Sequence, residues 1–599
     1  METADLSAIV SAVLVRNRHD GTRLLQILRE VQEVSGWLSP EALEQIATGI
    51  GWPRVRVAST AGFYAFFHTE PRGRYRILWS DNITDRMLGS EALMARMCEK
   101  LWAEPGRVSE DGLVSVDTTS CTGMCDQGPA LLANYRAVTH MTAQRVDDMA
   151  DLIRRQVPVA DWPTEWFTVA DNVRRRDVLL SHNLLPGEAL AAAMARRPDV
   201  LLDEIKASKL RGRGGAGFAT ALKWDACRNA AGDARYIVCN ADEGEPGTFK
   251  DRVLLTTCAD LVFEGMTIAG YAVGAGKGLL YLRGEYRHLL EPLEAVLARR
   301  RKDRLLGSNI LDKPFEFDIE IHLGAGAYIC GEESALIESL EGKPGKPRIR
   351  PPFPVTHGYL GQPTVVNNVE TLAAACLIAR HGGAWYAAIG TAKSAGTKLL
   401  SVSGDVQRPG IYEYPFGVTV EQVLEDAGIS GCTQAVQISG PSGVTLGQNE
   451  LARRICFEDI PTAGAFMVFD CTRDMFEVAR NFAHFFAHES CGFCTPCRVG
   501  TAIVARLMDK LAAGYGSRYD IDEMFKMHRL MQGASHCGLG NTACNPLFDT
   551  LNKFRPAYET RLKSLDYVPG FDLDAALSQA RQMTGRNDAA AHLSDGVET

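Results

Sequence analysis

The sequence predicts a multidomain α/β protein. At 599 residues, the chain is longer than one hydrophobic core usually serves, so several domains are expected. Between about residues 170 and 390, strand patterns alternate with helix patterns, which is typical of a mostly parallel sheet. Helical periodicity dominates both ends of the chain, and short strands separated by turn residues fill residues 397–460.

The first 156 residues divide into a helical region, residues 1–70, and a small α/β unit, residues 71–156. Leu24, Leu28 and Val31 recur at helical spacing, and Gly36 ends that run. Strand patterns at 75–79 and 114–117 flank a helix pattern at 91–101. Residues 157–166 contain two prolines and few periodic residues, so a linker is expected there.

The block from 170 to 390 carries the chemistry-bearing loops. Its strand patterns at 236–239 and 315–322 run into segments rich in glycine and polar residues, a third strand pattern at 278–282 precedes a long helix, and a further glycine-rich segment lies at 211–218. Ligands bind at the carboxyl ends of parallel strands, so these segments are expected to converge on one site. A β-rich domain at 397–460, a helical domain at 470–560 and a polar tail at 561–599 complete the prediction.

A glycine-rich stretch, Arg211–Phe218, precedes a predicted helix start at Phe218–Trp224. Four glycines fall within six residues (Gly212 to Gly217), and glycine lets a ligand approach the backbone closely. Backbone N–H groups at a helix start bind anions, and Lys223 adds a positive charge. The pattern indicates a phosphate site, with a surface turn as the alternative.

Four cysteines near the C-terminus indicate a metal centre. Cys491, Cys494 and Cys497 form a C-x2-C-x2-C run, with Cys537 further along. A triple of thiolates with one remote partner suits a four-iron cluster, in which each iron takes one protein ligand. A zinc site and four reduced structural cysteines are the alternatives.

Cys121 and Cys125 form half of a second metal site. The other half is expected in the loop after Trp79, where Ser80 and Asp85 stand instead. An altered two-iron site and a reduced thiol pair both remain open, because oxygen is a poor iron ligand compared with thiolate.

Composition excludes other classes of function. The net charge of −9 does not provide the excess positive charge that is typical of nucleic-acid binding. No apolar run is long enough to span a membrane. The first twenty residues do not resemble a signal peptide. Sixteen cysteines without an export signal favour metal or redox sites in a cytoplasmic protein. The cysteines without ligand spacing, including Cys432 and Cys471, are expected to be buried small hydrophobes.

Five motifs together resemble a known family. Residues from about 170 to 560 resemble the FMN-binding, NADH-oxidising subunit of respiratory complex I, and residues 1–155 resemble the small thioredoxin-like two-iron subunit of that module. The fusion of both resembles the diaphorase subunits of cytoplasmic NAD-reducing nickel–iron hydrogenases. The family motifs are Gly212–Trp224, Asn240–Arg252, Tyr328–Ser334, Asn367–Thr371, and Cys491–Cys497 with Cys537.

The resemblance implies a fold for each unit: a helical and thioredoxin-like N-terminal part, a Rossmann-like FMN domain, a small β-grasp-like domain and a C-terminal helical bundle with a 4Fe-4S cluster. It also implies roles for single residues. Flavin contacts would come from Gly212, Gly214, Lys223, Asn240, Asp242, Glu243, Gly331, Glu332, Asn367 and Asn368. Nucleotide contacts would come from Phe218 and Phe353 at the adenine, Glu333 at a ribose, and Glu245 and Tyr328 at the nicotinamide. Glu245 and Lys223 are the candidate catalytic residues.

The implied activity is reduction of NAD+ by electrons that pass through the 4Fe-4S cluster and FMN, with a possible 2Fe-2S cluster in the first domain. The implied partners are other iron–sulfur and nickel–iron hydrogenase subunits in a hetero-oligomer. A formate dehydrogenase, a complex I module and a zinc-stabilised scaffold are the alternatives. Four carboxylates (Glu243, Glu245, Glu332 and Glu333) would disfavour the extra phosphate of NADP, since two such charges about 4 Å apart repel by about 4 kcal/mol at an intermediate dielectric.

Overall fold

The structure, a computed structural model, describes residues 6–429, 431–563 and 573–586. The mixed α/β, multidomain fold class is confirmed, with three separate sheets and helical regions at both ends. The predicted tail, residues 561–599, lies mostly outside the described residues, apart from 561–563 and the segment that contains one late helix.

Four helices begin the chain: α1 (Leu6–Arg16), α2 (Leu24–Ser35), α3 (Pro40–Ile50) and α4 (Arg54–Ala61). Helix α2 buries Leu24, Leu28 and Val31 on one face and ends at Gly36, whose φ is 83°. These helices do not close a core of their own. Their apolar faces pack with residues of the larger α/β domain and the C-terminal helices in one continuous cluster.

The small α/β unit has a four-stranded sheet with helices packed on it. Its elements are β1 (Tyr75–Ser80), α5 (Ile83–Met87), α6 (Ser90–Leu101), β2 (Val114–Thr119), β3 (Leu131–Ala133), β4 (Arg136–Val138) and α7 (Ala143–Arg154). The strand order is β2-β1-β3-β4. Strands β1 and β2 are parallel, and the other pairs are antiparallel.

The linker predicted at 157–166 is wrong. Trp162 and Trp166 are only 2% and 7% exposed, and they belong to the core of the small α/β unit. Trp162 stacks on Tyr75 with 6.1 Å between the ring centroids. The segment that contains the prolines is therefore packed against the domain, because burial of its two tryptophan side chains is more favourable than their exposure to water.

The largest unit begins with the short strand β5 (Val173–Arg175) and contains a parallel sheet of four strands. The elements after β5 are α8 (Glu188–Met194), α9 (Pro198–Ala207), α10 (Thr220–Asn229), β6 (Tyr236–Ala241), α11 (Lys250–Thr257), α12 (Ala259–Val273), β7 (Lys277–Leu282), α13 (Leu290–Lys302), β8 (Asp318–Leu323), α14 (Glu333–Leu340), α15 (Pro354–His357), β9 (Thr364–Asn368), α16 (Val369–His381) and α17 (Gly383–Ala387).

The strand order of this sheet is β8-β7-β6-β9, and all of its neighbours are parallel. The chain passes from β6 outward to β7 and β8 and then returns to the other side of β6. The loops after β6 and β9 therefore diverge at a topological switch point, which is where open α/β sheets bind ligands.

The β-rich unit extends beyond its predicted range. Its elements are β10 (Thr397–Gly404), β11 (Gly410–Pro415), α18 (Val420–Ala427), β12 (Thr433–Ile438), β13 (Val444–Gly447) and β14 (Ala465–Asp470), and its sheet order is β13-β12-β14-β10-β11-β5. Strand β5 arrives from a distant part of the chain, which local sequence patterns cannot reveal. Cys432 and Cys471, expected to be buried and reduced, are exposed and form a disulfide.

The C-terminal unit is helical, with α19 (Met475–Glu489), α20 (Thr495–Ala512), α21 (Arg518–Ala534), α22 (Gly538–Thr542), α23 (Asn545–Lys553) and α24 (Arg555–Glu559). Helix α25 (Leu573–Thr584) lies in the predicted tail. Among the described helices, none is by itself long and apolar enough to cross a membrane. The pair α11 and α12, bent by 94°, meets that test only by length and composition.

Candidate functional site

A cavity of about 550 Å³ opens at the switch point between β6 and β9. Its wall comes from the glycine-rich loop, the loop after β6, the turn before α14, the β-rich unit and α22. Nine residues predicted from the sequence line it: Gly214, Asn240, Asp242, Glu243, Glu245, Tyr328, Gly331, Glu332 and Asn368. The predicted convergence of the loops after β6 and β8 is therefore present.

The loop after β6 is held against the turn before α14. The Asn240 side-chain amide donates to the Gly331 carbonyl at 2.9 Å, and the Asn240 side-chain oxygen accepts the Asp242 N–H at 3.1 Å. One carboxyl oxygen of Asp242 is buried without a hydrogen-bond partner among the described residues. Burial raises the pKa of Asp242 well above its usual range. This carboxyl group is thus an unsatisfied polar atom on the cavity wall, which calls for a ligand.

Glu243 and Glu245 have different surroundings in the same loop. The Glu243 carboxylate accepts the N–H groups of Asp251 and Arg252 at 3.0 and 3.2 Å, and so caps the start of α11. Glu245 accepts the Tyr328 hydroxyl at 2.6 Å and the Ser442 N–H at 2.7 Å. Burial raises the pKa of each carboxyl group to about 7. Glu245 therefore joins the α/β domain to the β-rich unit at the cavity, with a pKa that burial places near neutral pH.

The glycine-rich loop comes close to Asn368, the last residue of β9. A Cβ atom on Gly214 would lie 3.2 Å from the Asn368 Cβ, and one on Gly217 would lie 2.4 Å from the Phe457 ring. The φ of Gly217 is 63°, in the left-handed region. Close approach to the β-rich unit thus requires glycine at 217, and a side chain at 214 would make a tight contact with Asn368.

Six predicted site residues lie outside the cavity wall. The Gly212 N–H donates to the Phe218 carbonyl at 2.8 Å and closes the glycine-rich loop. The Lys223 ammonium pairs with Glu333 at 2.5 Å, and the Asn367 oxygen accepts the Trp224 indole N–H at 2.7 Å. Phe218 and Phe353 have exposed rings, at 54% and 52%.

Several wall residues were not predicted as site residues. Lys250 lines the cavity although it is only 2% exposed, and it donates to Asp251 at 2.6 Å and to Asn368 at 3.2 Å. Asp251 accepts the Asn368 amide at 2.6 Å. Lys250 could have been found because it ends the polar loop after β6. Ser442 and Leu539, from the β-rich and helical units, carry no local signal of a shared cavity.

The cavity fits a flavin mononucleotide on these observations. It has the volume of a typical cofactor site, it lies at the switch point, and its wall combines glycine backbone with a buried lysine and amides. A phosphate group is suited to the backbone N–H groups of the glycine-rich loop beside Asn368. Lys250 is already paired with Asp251 at 2.6 Å and with Glu370 at 3.1 Å.

The four predicted metal-ligand cysteines also come together. Cys491, Cys494, Cys497 and Cys537 line a small cavity, with the apolar residues Ile329 and Leu539 in the same wall. Both apolar residues also line the cavity at the switch point. The two cavities are therefore neighbours that share two side chains.

The spacing of the four cysteines favours a cluster over zinc, because structural zinc sites usually pair two C-x2-4-C halves, whereas this chain has a triple and one remote cysteine. Burial raises the pKa of Cys497 to about 11 and of Cys537 to about 12. Cluster binding is thus expected to release protons from these thiols.

In the first domain, the four positions of the altered two-iron site also lie together. The Cys121 and Cys125 sulfurs are 3.6 Å apart. Ser80 donates its hydroxyl to Asp85 at 2.7 Å, and Asp85 also accepts the Ala130 N–H at 2.9 Å. The two thiols suit one iron. The second iron would have only these two mutually hydrogen-bonded oxygen side chains in place of thiolates, so the donor set does not match a four-thiolate cluster.

Buried arginines bind the cysteine loop of the first domain to the flavin-site loop. Arg252 pairs with Asp126 at 2.9 Å, and the two side chains are 1% and 0% exposed. Arg283 donates to the Cys121 carbonyl and to the Glu243 carbonyl, each at 2.7 Å. The first domain is therefore docked directly behind the loop that forms the cavity.

Three family models match the chain. The model described as Nuo51 FMN-binding domain matches residues 205–376, the thioredoxin-like [2Fe-2S] ferredoxin model matches 10–154, and the NADH-ubiquinone oxidoreductase-F iron-sulfur binding region matches 477–561. The FMN model spans the cavity loops, and the iron-sulfur model spans all four clustered cysteines.

Full-length similarity extends across all units. The chain is 42% identical over 584 residues to the alpha subunit of the NAD-reducing hydrogenase HoxS of Cupriavidus necator, covering 95% of this chain and 97% of that protein. It is 41% identical over 386 residues to the HndC subunit of the NADP-reducing hydrogenase of Solidesulfovibrio fructosivorans, covering 63% of this chain and 78% of that protein. It is 40% identical over 376 residues to the F 2 subunit of the NADH-quinone oxidoreductase of Rhizobium meliloti, covering 61% of this chain and 89% of that protein.

A solved structure of an NAD+-reducing [NiFe]-hydrogenase in the H2-reduced state contains a similar chain. The TM-score is 0.87 at 46% identity, and the match covers 97% of this chain and 100% of that chain.

Proposed function

The chain belongs to the family of the alpha subunit of NAD-reducing hydrogenases, and we propose from this that it reduces NAD+ with electrons received from a hydrogenase partner. It is an NAD-dependent oxidoreductase subunit with an FMN-binding domain and an iron–sulfur domain. When bound, FMN exchanges the hydride of a nicotinamide for single electrons, and a 4Fe-4S cluster carries those electrons one at a time.

One observation carries this proposal: the flavin cavity and the cysteine cavity share Ile329 and Leu539. Two apolar side chains separate the places where the two cofactors are expected to bind. Single electrons can cross a short apolar barrier of this kind.

The chain's own residues position and shield the reacting groups. The glycine-rich loop and Asn368 suit the flavin phosphate, and Asn240 fixes the turn that carries Gly331. Glu245, held by Tyr328 and Ser442, lies where we propose that the nicotinamide enters. With FMN and a nicotinamide bound, the chemistry would be a direct hydride transfer, so neither Glu245 nor another side chain would be needed as a general base. Lys223, paired with Glu333 outside the cavity wall, is proposed to act on the nucleotide and not on the flavin.

The fused first domain favours a hydrogenase partner over a complex I partner. The complex I relative covers 61% of this chain, whereas the hydrogenase alpha subunit covers 95% of it. We propose that the chain works in a hetero-oligomer with iron–sulfur and nickel–iron subunits, in the cytoplasm. A complex I module and a formate dehydrogenase remain the alternative settings for the same chemistry.

NAD is proposed as the preferred nucleotide, although one relative is named as NADP-reducing. Glu245 and Glu332 line the cavity, and Glu333 lies beside it. A carboxylate near the 2′-phosphate of NADP repels it, which an uncharged 2′-hydroxyl avoids. A kcat/KM for NADH at least tenfold above that for NADPH is expected, and equal values would contradict this preference.

The activity is tested on the full chain produced with FMN, iron and sulfide in the absence of air. NADH should reduce an artificial acceptor such as benzyl viologen, and the purified chain should contain one FMN and four irons. A colourless chain that binds zinc and oxidises no NADH would instead support the scaffold alternative.

A further inference from the structure

A second large cavity, of about 500 Å³, lies behind the flavin-site loop. Its wall comes from the small α/β unit, the segment after α4, the loops after β6 and β8, and α19. It shares Asp242, Gly244 and Tyr328 with the flavin cavity. The proposed electron path from nicotinamide to flavin to cluster does not use this cavity.

Two arginines in the wall lack ionic partners. Arg72 and Arg76 are half-buried, and neither forms a salt bridge with any residue that the structure describes. The Nε atoms of both, and one Nη atom of Arg76, are shielded from solvent and have no hydrogen-bond partner within the described residues. Shielded guanidinium groups without an anion are costly, so such atoms indicate a ligand.

Two other charged groups in the wall have ionic partners. Arg283 pairs with Glu285 at 2.7 Å, and Asp81 pairs with Arg86 at 2.7 Å. His68, which accepts or donates a hydrogen bond at Tyr135, has a pKa lowered to about 3 by burial and by the two arginines. The unpaired positive charge of the wall is thus that of Arg72 and Arg76, while Asp117 and Glu489 line the same cavity as carboxylates without a salt bridge among the described residues.

We propose that this cavity binds the phosphate group of a small hydroxylated molecule, with the phosphate at Arg72 and Arg76. Guanidinium forks bind phosphate oxygens in pairs, which lysine cannot do. The rest of the wall offers hydroxyl and amide groups, from Asn82, Thr118 and Ser120, to the hydroxyls of such a ligand. The cavity volume accommodates a sugar phosphate.

The test measures binding by titration calorimetry with the full FMN-loaded chain saturated with NAD+, so that the other phosphate sites are filled. Ribose 5-phosphate, inorganic phosphate and uncharged ribose are the three probes. One ribose 5-phosphate is expected to bind per chain. Inorganic phosphate binding equally tightly would identify free phosphate as the ligand, and ribose should not bind.

The decisive variant is R72Q/R76Q, with R74Q/R107Q as the control that removes the same charge. Arg74 and Arg107 are exposed and lie outside the cavity wall. The affinity for the phosphate probes should fall at least tenfold in R72Q/R76Q and stay unchanged in the control. Equal affinity in both variants, or no binding of either phosphate probe to the wild-type chain, would overturn the proposal.

A second measurement needs no variant. Phenylglyoxal labels accessible arginines, and mass spectrometry locates the label. Ribose 5-phosphate should slow the labelling of Arg72 and Arg76 without affecting Arg74, and equal rates with and without the probe would contradict the site. Both readouts are independent of electron transfer, so the proposed function and this site can fail separately.

Discussion

At the scale of single residues, Glu245 is a carboxyl group of the cavity wall whose pKa is raised by burial. Its carboxyl group joins Tyr328 on the α/β domain to Ser442 on the β-rich unit. Burial raises its pKa to about 7, although the two hydrogen bonds act in the opposite direction and lower the pKa. Since the folded pKa exceeds that of an unfolded glutamic acid, protonation of Glu245 stabilises the fold. This stabilisation is complete below about pH 4.5 and is lost as the pH rises to about 7.

The Glu245→Gln substitution is expected to remove a pH effect on nucleotide binding. Between pH 6 and 8, ionisation of Glu245 should raise the KM for NADH several-fold in the wild type, because the carboxylate repels an anionic dinucleotide. The KM of E245Q should stay flat over this range. Steady-state kinetics check this, with the exposed Glu165→Gln as the charge control, and an unchanged KM profile in E245Q would contradict the assignment.

The Cys494→Ser substitution is expected to separate the two cofactors. Loss of one thiolate should reduce the iron content to near zero while FMN stays bound, because the flavin cavity has its own wall. Cys544 is a buried thiol near Cys497 that does not line the cysteine cavity, so C544S serves as the control and should keep four irons. Iron and FMN analysis decide, and equal iron loss in both variants would argue against the four-cysteine ligand set.

At the scale of elements, the sequence predicted the loops of the flavin site better than the units around them. The loop after β6 could be found because a strand pattern runs directly into polar and glycine residues. The packing of the segment with Trp162 and Trp166 could not be predicted, because its prolines indicated a linker. Tertiary contacts, which have no local signal, bury both tryptophans. Strand β5 was missed since its sheet partner, β11, lies far away in the sequence.

The first domain provides a gain-of-function test. Ser80 and Asp85 stand at the end of β1 and in α5, beside the Cys121–Cys125 pair. In the S80C/D85C variant, four thiolates would face one another, so two additional irons and two sulfides per FMN are expected after anaerobic reconstitution. The single variant S80C should gain none. Absence of extra iron in the double variant would show that the loop geometry, and not the ligand identity, prevents a cluster.

The contact between the first domain and α11 is expected to depend on the Arg252–Asp126 pair. Removal of one partner from a buried ion pair costs about 3–5 kcal/mol, because the remaining charge is left without compensation. R252A and D126A should each destabilise the chain by this amount, and D126A/R252A should cost less than the sum. Urea denaturation of the three variants measures the coupling, and additive losses would contradict a direct pair.

At the scale of the whole molecule, units that are far apart in the sequence line the same cavities. The flavin cavity takes residues from the glycine-rich loop, the β-rich unit and α22. The cysteine spacing could predict a cluster, but only the fold shows that Ile329 and Leu539 join its cavity to that of the flavin. Such long-range proximity has no local signal in the sequence, since it arises from packing between domains.

The central claim is that one chain holds a flavin and a four-iron cluster as electronic neighbours. Its most direct test is an anaerobic titration of the purified chain with NADH, followed by flavin absorbance and by EPR at low temperature. Bleaching of one FMN together with the signal of a reduced 4Fe-4S cluster is the predicted result. The contradicting result requires a chain that contains both cofactors and a cluster whose potential lies above that of NADH. If the cluster of such a chain stays oxidised while NADH fully bleaches the flavin, the claim is wrong.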